Sequence, residues 1–213
     1  VHGATVLSTI VVFRKELADL IRGVFKFRMN EETGYVLRIF VSMIPLALVG
    51  FFLKEEVEGL YNGNMLLIGL MLLVTSLLLT IGHFASGKGR SISYRDAFII
   101  GLAQAFAAIP GISRSGATIA TGMMLGNRKD ELARFSFLMV LIPILGANFL
   151  EIVSSTDKMT ESLSPAVLIA GTLTAFISGY AACRWMINIV RKSKMIWFAA
   201  YCLVVGLLTI LFL

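Results

Sequence analysis

Charge is scarce in this sequence. Asp, Glu, Lys and Arg together make up 15% of its 213 residues, against roughly 25% in an ordinary soluble domain. Hydrophobic types reach 57%, more apolar surface than a soluble sphere of this size can hide. A disordered chain and nearly every ordinary globular enzyme are thereby excluded. Cysteine is almost missing: Cys183 and Cys202 both lie in apolar stretches, which excludes a secreted disulfide scaffold and reads as two buried, inert thiols. Two histidines are too few for a His-rich metal cluster. Period-2 alternation is lacking, so the apolar stretches are helices and not barrel strands. What remains is an all-α, polytopic integral membrane protein, read as a single domain over residues 1–213. The net charge of +6 would suggest nucleic acid in a soluble chain. In a membrane protein the basic residues belong to cytoplasmic loops, and no nucleic-acid partner is implied.

A membrane-crossing helix needs about 20 apolar residues. Residues 1–13 read as the tail of one. Further spans are expected at 35–53 with a kink at Pro45, at 65–85, at 135–153, at 165–190 and at 196–213. The chain opens at Val1 inside an apolar run with no signal peptide in view, and an N-terminal portion is expected ahead of it. Residues 97–127 behave differently. Arg114 is their sole charge, and Pro110-Gly111 interrupts them at the middle, where a lost backbone donor and a loosened chain disfavour a continuous helix. Each arm then has about 13 residues and spans roughly 20 Å, short of the roughly 30 Å hydrocarbon core.

Charge asymmetry between the loops agrees with a hairpin there. Arg14, Lys15, Arg22, Lys26 and Arg28 mark the first loop as cytoplasmic, with Arg38 just beyond. Lys54 with Glu55, Glu56 and Glu58 marks the next as outer. Lys88, Arg90 and Arg95 on one side of 97–127, and Arg128, Lys129 and Arg134 on the other, are both cytoplasmic sets. Asp157, Lys158 and Glu161 lie outside, and Arg191, Lys192 and Lys194 return to the cytoplasm. A re-entrant hairpin entering from the cytoplasm, apex outward, keeps this alternation; a single crossing breaks it.

The apex carries the chemistry. Irregular backbone at membrane depth is tolerated only when buried in protein or lining a wet cavity. A charge there costs at least about 2.5 kcal/mol. Arg114 is an always-protonated fork suited to phosphate or carboxylate. Ser113, Ser115 and Thr118 supply hydroxyls, and Gly111 and Gly116 permit close backbone approach. A helix starting near Ser115 turns its free N–H groups toward the same point. Together these describe an oxyanion site. The competing role for Arg114 is an ion pair with a carboxylate of another helix, for which Glu151 is the nearest candidate among the spans.

Pro110 to Thr118 resembles the signature of undecaprenyl-diphosphate phosphatases, Pro-Gly-x-Ser-Arg-Ser-x-x-Thr. The flanks are similar too: Gly101-Leu102-Ala103-Gln104 before it, Arg134-Phe135-Ser136-Phe137-Leu138 after it, and Val11-Val12-Phe13-Arg14-Lys15 near the start. The resemblance covers nearly the whole chain in order. It implies an integral enzyme of the bacterial cytoplasmic membrane, built from inverted repeats that each carry a re-entrant hairpin. Such enzymes hydrolyse undecaprenyl diphosphate to undecaprenyl phosphate and inorganic phosphate, which recycles the cell-wall lipid carrier and confers bacitracin resistance. The implied cofactor is a divalent cation, Mg or Ca. The implied catalytic set is Arg114, which binds the diphosphate, with Ser113 and Thr118. Gly111, Ser115 and Gln104 are carried as substrate-binding residues, although Gln104 could instead bond a neighbouring helix. Asn148 has the same ambiguity. The implied partners are the polyprenyl diphosphate lipid and the bilayer; homodimerisation stays open.

One departure stands out. The family has a second motif nearer its N-terminus, with two glutamates four apart followed by a serine-rich turn with a histidine. Nothing here matches it, and His2 lacks the serine-rich context. The resemblance therefore implies a member lacking its N-terminal part, where the nucleophile and metal ligands are expected. The competing class is a polyprenyl-phosphate transporter or flippase, since broken helices at the midplane also bind anions in transporters.

Other signals are structural. Gly82 to Gly89 nearly spells a P-loop, yet no Ser or Thr follows Lys88 and no strand precedes it; Gly87-Lys88-Gly89 reads as a cytoplasmic turn. His83 reads as a satisfied helix-end histidine, with a proton relay as the alternative, the ten methionines as packing material, and Gly101 with Ala105 and Ala108 as a close helix contact. Arg184 is expected to snorkel, with Trp185, Trp197 and Tyr201 as interfacial anchors.

Overall fold

In hydrocarbon every backbone N–H and C=O must be satisfied within the protein, and a helix does this segment by segment. The computed structural model describes residues 2–26, 28, 30–85, 89–154, 165–191 and 195–212. Expectations for Lys88, for Asp157, Lys158 and Glu161, for Lys192 and Lys194, and for the side chains of His2, Asn148 and Glu151 lie outside what it describes. The helices are α1 (His2–Val12), α2 (Arg14–Val24), α3 (Glu31–Phe52), α4 (Lys54–Gly59), α5 (Met65–Phe84), α6 (Tyr94–Phe106), α7 (Arg114–Met124), α8 (Lys129–Ser154), α9 (Pro165–Arg191) and α10 (Met195–Leu211). Among the described residues the only strand-like pairing is an isolated parallel bridge between Arg90 and Asn127.

The all-α membrane architecture is therefore present. Three described stretches, Glu31–Phe52, Met65–Phe84 and Ile169–Val190, are long and apolar enough to cross a membrane, as a multi-pass membrane protein requires. Of the other expected runs, 135–153 lies within α8 and most of 196–213 forms α10. α10 has 17 residues, and α1 gives way at Phe13 to the charged α2. α3 begins ahead of its apolar run because Asn30 caps it. The Asn30 Oδ1 accepts the Thr33 N–H at 2.8 Å, and Glu31 and Glu32 occupy the first turn, where the helix dipole favours acids. α3 stays helical through Pro45, as α8 does through Pro143. Phe51, Phe52, Trp185, Trp197, Tyr201 and Phe212 are largely exposed, a surface suited to lipid rather than water.

The chain forms two compact units. One comprises residues 1–34 and 138–188, the other residues 35–137 and 189–213. In the first, α1 meets α2, and Thr9 Oγ1 lies 3.7 Å from Cys183 Sγ. Arg184 Nη1 donates to the Tyr180 hydroxyl one turn back, at 3.0 Å. The second unit holds the hairpin. There α5 packs on α10 and α7, and α6 packs on α7. Small residues set these approaches. A Cβ on Gly206 would stand 3.0 Å from the Gly69 carbonyl oxygen, and one on Gly82 would stand 2.9 Å from Ala120 Cα. The close contact expected at Gly101 is with α3, where a Cβ would overlap the Ser42 backbone. Ser76 Oγ donates to the Ala199 carbonyl at 2.7 Å, tying α5 to α10.

Candidate active site

The helical arm breaks at Pro110-Gly111: α6 ends at Phe106 and α7 begins at Arg114. At the foot of the hairpin the two arms are strapped together. Ser93 and Asp96 form a capping box that starts α6, the reciprocal arrangement that satisfies two orphan N–H groups. Asp96 Oδ1 accepts from Arg90 Nη2 at 2.9 Å, and its Oδ2 accepts from the Ser93 N–H at 3.0 Å and Asn127 Nδ2 at 3.1 Å. Arg90 also donates through Nε and Nη2 to the Leu125 carbonyl at the end of α7. Burial pushes the Asp96 pKa up. The hydrogen bonds from Ser93 and Asn127 and the Arg90 charge outweigh it, so the carboxyl sits below its ordinary value.

The apex is seated on α5. Gly111 has φ +94°, a conformation open to glycine and few others. A Cβ there would stand 2.7 Å from the Ile68 carbonyl oxygen. Ala107, Ile112 and Ala117 form a buried apolar cluster against Met71, Leu78 and Ile109. The Tyr61 hydroxyl, from the acidic loop before α5, donates to the Ala108 carbonyl at 3.0 Å. From there α7 runs back along α5, so that Ala120 meets Gly82. The Ser113 N–H donates to Thr75 Oγ1 at 3.1 Å. Thr75 lies halfway along α5, which sets the start of α7 about 15 Å from either end of that helix.

The structure brings Gly111, Ser113, Arg114 and Ser115 together on this turn. Ser113 is the N-cap of α7, its Oγ accepting the Gly116 N–H at 3.2 Å. Arg114 and Ser115 are half-buried. Among the described residues neither the Arg114 guanidinium nor the Ser115 hydroxyl has a hydrogen-bond or ion-pair partner, and the backbone N–H groups of both lack a protein acceptor. No described carboxylate takes up the ion-pair role for Arg114. Thr118 stands apart from this open cluster. Its hydroxyl is fully buried, bonded to the Arg114 and Ser115 carbonyls at 3.0 and 3.2 Å, and 2.7 Å from Ser136 Oγ on α8. Gln104 is fully buried on α6, with both amide atoms unbonded among the described residues.

Sequence reasoning assigned no role to Thr75, Asp96 or Asn127, and took Ser136 only as part of the resembling flank. Ser93-x-x-Asp96 ahead of an apolar run was a legible helix-start signal. Thr75 and Ser76 were legible as hydroxyls in an otherwise apolar helix. Which neighbour each would meet was not. The donor set around Arg114 is cationic and hydroxylic, and among the described residues no group of three or more His, Cys, Asp or Glu could hold a metal ion. These residues do not fit a divalent cation.

Comparison with known proteins gives a consistent answer. Residues 1–208 match the family described as bacitracin resistance protein BacA. The undecaprenyl-diphosphatase of Parabacteroides distasonis is 51% identical over 213 residues, covering 99% of this chain and 80% of that protein. That of Christiangramia forsetii is 49% identical over 211 residues, with the same shares covered. That of Korarchaeum cryptofilum is 34% identical over 216 residues, 97% of this chain and 80% of that protein. A match along almost the whole length, through the hairpin and its Arg114 turn, makes this chain a member of the bacitracin resistance protein BacA family.

Proposed function

We propose that this protein hydrolyses undecaprenyl diphosphate to undecaprenyl phosphate and inorganic phosphate, recycling the lipid carrier of cell-wall precursors and conferring bacitracin resistance. Its relatives bear the name undecaprenyl-diphosphatase. The observation that carries the reading is the Arg114 guanidinium at the N-terminus of α7, unpaired among the described residues, beside the Ser115 hydroxyl and two N–H groups that are open in the same sense. An arginine fork matches phosphate oxygens two at a time, and a helix N-terminus favours an anion. The apolar, largely lipid-facing surface suits a polyprenyl tail.

In the reaction, water attacks the terminal phosphorus and loses a proton to solvent, or a serine attacks it and water then hydrolyses the phosphoserine; either way the bridging P–O bond breaks. The departing undecaprenyl phosphate takes the bond's electrons. Arg114 and the α7 N–H groups neutralise the phosphate charge as it develops, the kind of fixed electrostatic help that carries phosphoryl transfer. Ser113 shapes the turn by capping α7, Gly111 lets the chain approach α5, and Thr118 supports the turn from behind. Gln104 is proposed to face the substrate. Dependence on Mg or Ca belongs to the proposal as a property of the whole reaction, and no described residue is assigned to it. Residues 97–127 are read as a re-entrant hairpin within one membrane domain, in the bacterial cytoplasmic membrane with the site opening outward. The bond from Tyr61 in the acidic loop to Ala108 supports an outward apex, since that loop is the one expected outside.

The test is phosphate release from undecaprenyl diphosphate by the purified full-length protein, with and without divalent cation, for wild type and Arg114→Ala. Cation-dependent release that falls by about 10²–10³-fold in the variant is expected. A folded wild type that releases no phosphate overturns the reading.

A further inference from the structure

We propose that Thr75 on α5 is a positioning residue for the Arg114 turn, an inference that rests on the phosphatase reading above. Thr75 is fully buried. Its hydroxyl has one proton and two lone pairs. The proton goes to the Met71 carbonyl at 3.0 Å, with the Gly111 carbonyl 3.5 Å away as a second acceptor. A lone pair receives the Ser113 N–H at 3.1 Å. This bond differs from an ordinary back-bond of threonine onto its own helix, because it reaches the N-cap residue immediately before Arg114. Fixing the Ser113 N–H fixes the peptide plane from which α7 starts. The start of α7 in turn sets where the Arg114 guanidinium and the two open N–H groups converge.

The neighbouring hydroxyls of α5 show that the placement is specific. Ser76 turns to α10, where it holds the Ala199 carbonyl, and Thr80 returns its proton to the Ser76 carbonyl. Thr75 alone among them reaches the hairpin. Besides the bond from the Tyr61 hydroxyl to the Ala108 carbonyl, before the break, the other contacts at this turn are steric: Gly111 lies against Ile68, and Ile112 sits in the apolar cluster. Apolar contacts hold the hairpin against α5 without fixing rotation of the turn. The Thr75 bond supplies the directional restraint. Serine at this position keeps the hydroxyl; valine keeps the shape and removes it.

The experiment is a double-mutant cycle on the full-length protein, measuring kcat/KM by single-turnover phosphate release for Thr75→Val, Thr75→Ser, Arg114→Ala and Thr75→Val with Arg114→Ala. Thr75→Val should lower kcat/KM by about 10–100-fold, the scale on which small misplacements act. Thr75→Ser should recover most of that loss. In the Arg114→Ala background Thr75→Val should cost markedly less, because only the two N–H groups are left to misplace. A Thr75→Val enzyme with wild-type turnover, or one with the same fold-loss when Arg114 is gone, overturns the inference. Should Thr75→Val fail to fold, Thr75→Ala takes its place in the same cycle. A wild type that releases no phosphate defeats the phosphatase reading instead. The cycle is then run on affinity for undecaprenyl diphosphate, where additive effects of the two substitutions overturn the role of Thr75.

Discussion

Asn127 Nδ2 donates to Asp96 Oδ2 at 3.1 Å, so a carboxamide just past α7 and a carboxylate in the first turn of α6 close the foot of the hairpin. The same carboxylate takes the Arg90 guanidinium and the Ser93 N–H. Removing its charge while keeping its shape should therefore loosen both arms. Asp96→Asn is expected to lower the unfolding free energy by about 1–3 kcal/mol. Most of that arises from the buried hydrogen bonds, because the Arg90 side chain is half exposed and its ion pair is screened. The sign of the pH dependence follows from the lowered pKa. The stability Asp96 contributes is complete above the unfolded carboxylate value of about 3.9 and is lost as pH falls through the lower folded value. Denaturant unfolding of wild type and variant between about pH 6 and pH 2 should show the two curves converging in acid. Curves that stay parallel would remove Asp96 from the latch. Asp130, whose pKa is also lowered beside Arg128, titrates in both proteins and cancels from the difference.

The hairpin break and its helix start were legible in the sequence, because Pro110, Gly111 and Ser113 act locally: a lost donor, a positive φ and a cap need no distant partner. The all-helical membrane class was legible because it rests on composition. Helix bounds were less so. α3 and α8 extend into polar sequence, where Glu31, Glu32, Asp130 and Glu131 suit a first turn as well as a loop. The supports of the site were hidden for a different reason. Thr75 meets Ser113 across 38 residues, and Thr118 meets Ser136 between two helices. Such pairs depend on how helices pack, which periodicity does not specify. Thr118 shows the consequence: a residue expected to help bind phosphate has its hydroxyl turned into the protein.

Gly111 and Gly63 separate backbone strain from steric contact. Both have positive φ, +94° and +74°, yet a Cβ on Gly63 meets nothing within 4 Å while one on Gly111 meets the Ile68 carbonyl at 2.7 Å. Gly63→Ala should cost about 1–2 kcal/mol of stability from the backbone alone and leave phosphate release intact. Gly111→Ala should lose stability beyond that and also lose turnover, since the turn must lift off α5. Equal thermal shifts in the two variants would show that the seat of the hairpin on α5 is looser than described.

Gln104 poses a choice between stability and function. Its amide is fully buried with neither atom bonded among the described residues. An unsatisfied buried amide costs about 1–3 kcal/mol on mutational scales. Gln104→Met keeps the volume and removes the polar atoms, so the variant should unfold at higher temperature than wild type. If the amide faces the substrate, kcat/KM should fall at least about tenfold at the same time, the trade-off common at functional sites. Greater stability with unchanged turnover would take Gln104 out of the site.

Arg114 itself admits a sharper test than deletion. Lysine keeps the positive charge and most of the reach, but offers a compact ammonium in place of a planar fork. Arg114 begins α7 and is held by no described carboxylate, so its side-chain geometry is set by what it binds. If it grips two phosphate oxygens together, Arg114→Lys should be nearly as impaired in kcat/KM as Arg114→Ala, with both losing about 10²–10³-fold. If only charge is needed, lysine should restore most of the rate, and the loss should be recovered further at low ionic strength, where a point charge acts over a longer range. Measuring both variants at low and high salt distinguishes the two. A lysine enzyme within a few-fold of wild type would leave Arg114 as a charge at the site and remove the fork from the account of how the diphosphate is held.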